Sequence, residues 1–390
     1  MLVCKERKKI QNPNLQNIDI QYFKSIQLID KETWNEAAPA NDLFLQYDYL
    51  LFLEKFPPDS GSFAYVVFTQ HGKNIGVAYF QIGYFDAEKS IHSDSLFVKS
   101  ITRQINFKAL ILGNALVTGE HAYYFDQSIS KENQENALQK AIEKVENQCV
   151  KENRKTSFHL VKDFFQEKDF LIEKNYAAFP FSPNMILDLR SEWDSFEAYL
   201  DAMSTKYRTR AKRAEKKLSG LKYLEMDVQM IENQQDTIYN LYNKIANGAD
   251  FNYTFIHKKY FIELKKALGD AYRIIGCYNQ NELVGFFTTI YNFDELETGF
   301  IGFDEKYNAS HQIYLNFLYE MVKIGIEAGV KKVVFSRTAL EIKSSIGAEP
   351  HFMQTYLKAQ SPILNRFMPR VVAAIAPKQE WQQRKPFKNE

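Results

Sequence analysis

The sequence predicts an α/β protein of two domains, each a mixed sheet with helices packed against it, and three observations carry that reading. The chain has 390 residues, more than one hydrophobic core organises, which favours two domains of about 150 to 200 residues each. A strand, turn, strand pattern occurs twice, as FAYVVFTQHGKNIGVAYFQIGYF at 63 to 85 and YRIIGCYNQNELVGFFTTIYNF at 272 to 293. Each copy is followed by an amphipathic helix and another strand. These are ENQENALQKAIEKVENQCVKE (132 to 152) with TSFHLV (156 to 161), and IYLNFLYEMVKIGIEAG (313 to 329) with KKVVFS (331 to 336). Antiparallel strands, then a helix, then a strand is the order of a mixed sheet.

Each hairpin has an apolar run, a polar turn and a second run. The turns are His71-Gly72-Lys73-Asn74 and Asn279-Gln280-Asn281-Glu282, and Gly76 and Gly285 occupy the same place after them. A repeat at this scale indicates two copies of one fold. Gly329 stands where a helix C-cap is expected. Between the halves, Met185 to Leu189 reads as a strand. A helix starts near Ser191 and runs through TKYRTRAKRAEKK to Gly220. The domain boundary is placed near residue 190, giving domains 1–190 and 191–390, and the absence of a Pro-, Gly- or Ser-rich linker predicts that they pack tightly.

Composition bounds the function. Hydrophobic residues make up 45% and aromatics 15%, with 31 Phe and 23 Tyr, which supplies a large core. Lys plus Arg number 49 against 48 Asp plus Glu, so any attraction to a polyanion must be local. Cys4, Cys149 and Cys277 lack disulfide or metal spacing. No metal site is expected, and a reducing, cytoplasmic location is. The N-terminal MLVCKERKKIQNPN has charges where a secretory signal needs an apolar run, and no apolar stretch is long enough to span a membrane. There is no P-loop, dinucleotide fingerprint or GxSxG elbow. In the C-terminal ILNRFMPRVVAAIAPKQEWQQRKPFK, cations accompany apolar residues, and Pro369 and Pro377 are expected to break the helical run. It reads as a tail packed on the domain, with peripheral membrane contact as the alternative.

Three blocks in order, KYRTRAKRAEKK (206 to 217), GFIGFDEKYNASHQIYLNFLYEMVKIGIEAGVKKVVFSR (299 to 337) and RTALEIKSSIGAEP (337 to 350), resemble the FemAB-type branch of the GNAT superfamily, the peptidoglycan interpeptide aminoacyl transferases and their BioF-like acetyltransferase relatives. The resemblance implies tandem GNAT-like (acyl-CoA N-acyltransferase) domains, the first a degenerate copy. It also implies transfer of an acyl or aminoacyl group from a carrier, acyl-CoA or aminoacyl-tRNA, onto an amine. The carrier is a co-substrate, with no permanently bound cofactor. A GNAT protein that binds coenzyme A carries a Q/R-x-x-G-x-G/A loop whose backbone N–H groups hold pyrophosphate. Here the place reads Tyr307-Asn308-Ala309-Ser310-His311-Gln312, without glycine.

Ser310 precedes an apolar-periodic helix and is expected to cap it, leaving N–H groups for a phosphate or carbonyl. His311 beside it is a second carrier-binding candidate. Arg337 and Lys343 bracket TALEI after the strand KKVVFS, a spacing that can aim both at one anion; Glu341 can pair with either. The resemblance places Lys343 where a carrier phosphate or tetrahedral oxyanion would be stabilised, which makes it the leading catalytic candidate. Aminolysis also needs a proton acceptor, for which Asp304, Glu305, Tyr307 and His257 are candidates, and an oxyanion donor, which a backbone N–H at a bulge after Gly285 could supply. The basic helix, with Lys206, Arg208, Arg210, Lys212, Arg213, Lys216 and Lys217, suits an acidic partner. With only Tyr207 as an interleaved aromatic, it does not specify tRNA. The reading is an N-acyltransferase or aminoacyltransferase, acyl-CoA favoured, acting on a small-molecule or peptide amine such as a cell-wall or lipid precursor. The alternative is a non-catalytic binding protein on the same fold.

Overall fold

The computed structural model describes residues 18–86, 106–180, 182–248, 255–375 and 381–388; the N-terminal segment with Cys4, and Pro377, lie outside them. The first half runs β1 (Asp19–Phe23), α1 (Lys31–Ala37), α2 (Tyr47–Lys55), β2 (Ser62–Gln70), β3 (Lys73–Asp86), β4 (Asn106–Leu112), β5 (Tyr123–Phe125), α3 (Lys131–Lys151), β6 (Phe158–Phe164), α4 (Asp169–Glu173) and β7 (Ala177–Pro180). There follow β8 (Asn184–Asp188), α5 (Phe196–Ala202), α6 (Thr205–Lys217), β9 (Leu221–Glu225), α7 (Val228–Asn233), α8 (Gln235–Asn247) and α9 (Tyr260–Leu268). The chain then continues through β10 (Tyr272–Asn279), β11 (Glu282–Asn292), β12 (Glu295–Phe303), α10 (Glu305–His311) and α11 (Ile313–Glu327). It ends with β13 (Lys332–Val334), α12 (Leu340–Ser344), β14 (Glu349–His351), β15 (Gln354–Ala359) and α13 (Pro362–Ile375).

The strands form two mixed sheets. One has the order β1-β2-β3-β4-β6-β15-β7, with β5 on β3, and the other β9-β10-β11-β12-β13-β8-β14. Position by position the two are the same sheet, with a single parallel pair at the same place, β4 with β6 and β12 with β13. The duplication extends to detail. In each hairpin one residue bulges out just before the repeated glycine: Phe68 faces Gly76 and Thr69 faces Asn74, as Cys277 faces Gly285 and Tyr278 faces Leu283. The turns need left-handed backbone, φ 51° at His71 and 77° at Gly72, and 55° at Gln280.

The sheets do not divide at residue 190. Strand β8, on the first-half side of that boundary, lies in the second sheet between β13 and β14, and β15, from the second half, lies in the first between β6 and β7. Each sheet thus takes one strand from the other half. A reciprocal exchange holds the halves together through backbone hydrogen bonds, which explains why no linker is needed.

The helix expected from Ser191 to Gly220 is two helices. Ser195 caps α5, and the chain turns at Met203 and Ser204, where Ser204 N–H donates to Pro386 O at 2.8 Å. Gly220 follows α6 with φ 91°. The C-terminal run is likewise helical through Pro369 rather than broken there. The segment after it packs on the second half as expected: Phe387 is buried between Trp193 and Tyr199, with ring centroids at 5.0 and 5.8 Å. Cys149 and Cys277 are buried thiols. One apolar core lies between the first sheet and α3, and another between the second sheet and α5, α6 and α11. The third runs continuously from α1, α2 and the inner residues Tyr65 and Tyr79 of the first sheet to Phe286, Ile290 and α7–α9 of the second half. Among the described residues no helix is long and apolar enough to cross a membrane.

Candidate functional site

Strand β12 pairs with β11 along its length but with β13 only from Glu295 to Glu297. Beyond Val334 the chain turns away through Ser336 (φ 58°) and Ala339 (φ 52°), so the edge of β12 after Glu297 has no strand partner on that side among the described residues. The two strands part like a V. At the mouth β12 carries an extra residue: Phe287 faces Ile301 and Thr289 faces Thr298, leaving Thr288 opposite both Gly299 and Phe300. Phe300 N–H donates to the Thr288 hydroxyl at 2.9 Å. A side chain at Gly299 would put its Cβ 2.4 Å from that hydroxyl, so any larger residue there must displace Thr288 from its bond to Phe300. The oxyanion donor expected at a bulge after Gly285 is therefore best sought on the facing strand, where backbone groups border a gap.

Glu297 is the last β12 residue before the parting, and it is buried. Strand alternation sends Leu296 into the core beneath α11, so Glu297 faces the first half. Burial pushes its carboxyl up to about 8; nearby Glu295 and Asp42 push the same way, and His121 opposes them. His121 Nδ1 lies 2.9 Å from Asp42 Oδ2, and its ring packs on Phe44 with centroids 4.7 Å apart. Burial works against a charged imidazole here, but Asp42, helped by Glu297, raises its pKa above the ordinary histidine value. Asp42 is fixed by capping the turn Leu43–Leu45, and Leu43 N–H donates to Asn292 Oδ1 at 2.8 Å, tying this turn to the end of β11.

The loop from 113 to 122, which brings His121 in, lies where the first half's own β4 and β6 would part. Lys162 on β6 donates to the carbonyls of Asn114 (2.7 Å) and Val117 (2.9 Å), and Gly119 N–H donates to Asp163 at 3.3 Å. The first copy thereby fills this place with its own chain, while in the second no described strand pairs with β12 beyond Glu297 on that side.

The residues singled out in the sequence are placed differently from expectation. Lys343 is 4% exposed, its Nζ donates to the carbonyl of Phe335, and burial alone pushes its pKa down to about 7. It braces the backbone where β13 leaves β12 and has no surface for a carrier phosphate. Arg337 is directed at Asp163, which is fully buried and also holds Lys162, so the two predicted cations do not converge on one anion. Glu341 pairs with Arg384 rather than with either.

Ser310 is no N-cap. The chain inserts α10 before α11, and Ser310 Oγ donates back to Lys306 O at 2.8 Å and lies 2.6 Å from His311 Nδ1. The junction residue is Gln312, with φ 53°, and the first turn of α11 is served by Asn308 Oδ1, which accepts from Tyr314 N–H at 3.3 Å. Asp304 caps α10 and lies 3.7 Å from Lys244, and the Tyr307 hydroxyl accepts from Asn279 at 2.9 Å. Among the described residues no hydrogen bond or ion pair links this group to Lys343. Glu305 lies in the first turn of α10, and His257 Nδ1 accepts from Lys259 N–H at 3.1 Å in an exposed turn.

Sequence reasoning missed Glu297, His121 and Asp42. Glu297 did leave a signal, a carboxylate at a buried position of a strand whose other glutamate, Glu295, stands partly exposed at its start. The other two left none, because they meet Glu297 only across the chain fold.

No family model matches the chain, and no curated protein matches it. Among solved structures, FemX superposes with a TM-score of 0.51 over 90% of this chain and 100% of its own, at 10% identity. A tandem GNAT protein from the clavulanic acid biosynthesis pathway gives 0.49 over 89% and 99% at 9% identity. L-PGS from Bacillus licheniformis gives 0.40 over 83% and 95% at 11% identity. The FemX likeness, with the doubled strand order, shows the fold: two copies of one mixed sheet, arranged as in FemX.

Proposed function

We propose that the protein is an N-acyltransferase or aminoacyltransferase acting at the gap between β12 and β13, with Glu297 as the proton acceptor. The observation that carries this reading is the parting of those strands at a glycine bulge immediately beside a buried carboxylate held near neutrality. A general base works best with its pKa near the working pH. The acceptor enters as an ammonium, Glu297 takes one proton from it, and the neutral nitrogen attacks the acyl carbonyl carbon. The C–N bond forms, negative charge gathers on the carbonyl oxygen beside the β12 edge, and the bond to the carrier's sulfur or oxygen breaks. The nitrogen's remaining extra proton goes to the departing group. Lys343 and Arg337 act at a distance, by holding the edges of the gap. The donor in this reading is an acyl-CoA, with aminoacyl-tRNA as the alternative and a cell-wall or lipid precursor amine as the acceptor class.

The first turn of α11, covered by Asn308, favours one second reading, a binding protein without turnover. A thermal-shift screen with coenzyme A, acetyl-CoA and longer acyl-CoAs separates the readings, followed by an amide-formation assay. Ligand at about 100 times its dissociation constant stabilises by about 2.7 kcal/mol. The expected result is a shift that Gly299→Ala removes, with turnover that Glu297→Gln abolishes. A shift without turnover would leave the acceptor amine to be found, whereas the binding protein, having lost its carrier site, predicts no shift. With neither shift nor turnover for any acyl-CoA or aminoacyl-tRNA, the reading is refuted.

A further inference from the structure

Helix α13 covers β15 and β7 with one face and leaves the other open. Met368 is buried, and Asn365 is tied inward, donating to Asn175 O at 2.9 Å and accepting from Ala359 N–H at 2.9 Å. The outward face carries Ile363, 77% exposed, with Leu364 and Phe367 at 39% and 46%. Asn365 also ties α13 to the end of α4, where Ile172 is 42% exposed. Isolated exposed apolar side chains need no explanation, but several adjoining ones on a helix do.

Their charged neighbours indicate what covers them. Arg366 and Arg370 stand on the same open side, one turn apart, and α13 has no acidic residue. Arg370 lies over the Phe367 ring at 5.9 Å, and among the described residues neither arginine has an ion-pair partner. A second copy of the chain is a poor occupant, because pairing this face with itself would bring four arginines together. Large apolar side chains bordered by unpaired cations along a helix match the interface of an anionic bilayer, where the apolar groups enter the acyl boundary and the arginines meet phosphate.

We infer that α13 docks the protein on an anionic phospholipid surface through Ile363, Leu364 and Phe367, with Arg366 and Arg370 on the headgroups. This contact is independent of the acyl-transfer reading, since it uses none of the residues at the β12–β13 gap.

Vesicle flotation of the full chain tests it, comparing phosphatidylcholine vesicles with vesicles that also contain phosphatidylglycerol. The expected result is flotation with the phosphatidylglycerol vesicles, weakened about tenfold or more by Ile363→Glu with Phe367→Glu, and weakened by Arg366→Glu with Arg370→Glu or by added salt. These side chains are exposed, so both variants should melt with the wild type. Absence of flotation with phosphatidylglycerol vesicles would overturn the inference, as would equal flotation of the variants. A wild-type dimer that the Phe367 variant converts to monomer would assign the face to a second copy instead.

Discussion

Replacing Glu297 with Gln separates the carboxyl's chemistry from its packing. Burial raises this group from its ordinary 4.5 to about 8. Between those values the folded protein holds a proton that the unfolded chain has given up, so wild-type stability is lost as pH rises through that window. Each pH unit is worth about 1.4 kcal/mol, so the full burden approaches 5 kcal/mol above pH 8 and is about 3 kcal/mol at pH 7. Gln has the same shape and no proton to lose. The stability of Glu297→Gln relative to wild type should therefore be constant below pH 4.5, climb steadily to pH 8, and level off. Urea unfolding followed by tryptophan fluorescence at pH 4, 5, 6, 7, 8 and 9 measures it. In the same preparations, wild-type turnover should rise with pH through about 8, and the variant should show none. A stability difference that does not change with pH would refute both the buried carboxyl and the base assigned to it.

Lys343→Met should behave in the opposite sense. The lysine's pKa is pushed from 10.5 to about 7, so wild-type stability falls as pH drops through that window, and the methionine variant should gain on the order of 4 kcal/mol relative to wild type between pH 10 and pH 7. The same unfolding series reads it. Arg337→Ala leaves Asp163 buried with Lys162 as its remaining cation, and should destabilise by about 3 kcal/mol or more. Asp163→Asn in the same chain should not recover that loss, because it leaves the buried Lys162 without its carboxylate.

Much of the fold was legible in the sequence because it is written locally. Apolar runs around His71-Gly72 and Gln280-Asn281 specify hairpins through turn chemistry and alternation, and the 3.6-residue periodicity of 131–151 and 313–327 specifies the helices that follow. The doubled hairpin, down to Gly76 and Gly285, exposed the duplication. Other features depend on partners far along the chain. Local sequence could not show that β8 and β15 exchange sheets, because an apolar strand fits either sheet and the choice is made by which edges are vacant. Pro369 looked like a stop, yet α13 continues through it.

The candidate site divides the same way. The sequence by itself determined the class of fold, the two copies, and the stretch after β12 as the region of interest. The tertiary structure decided which residues are there. Lys343, Arg337 and Ser310 are polar residues near that region, and sequence alone cannot show that the first two are spent on Phe335 and Asp163 and the third on its own helix. Glu297, His121 and Asp42 come from three segments up to 255 residues apart, and their charges interact only because the exchanged strands bring the halves together. Burial is the deciding quantity, since removal from water sets both pKa values and partners, and it exists only once the two sheets have packed.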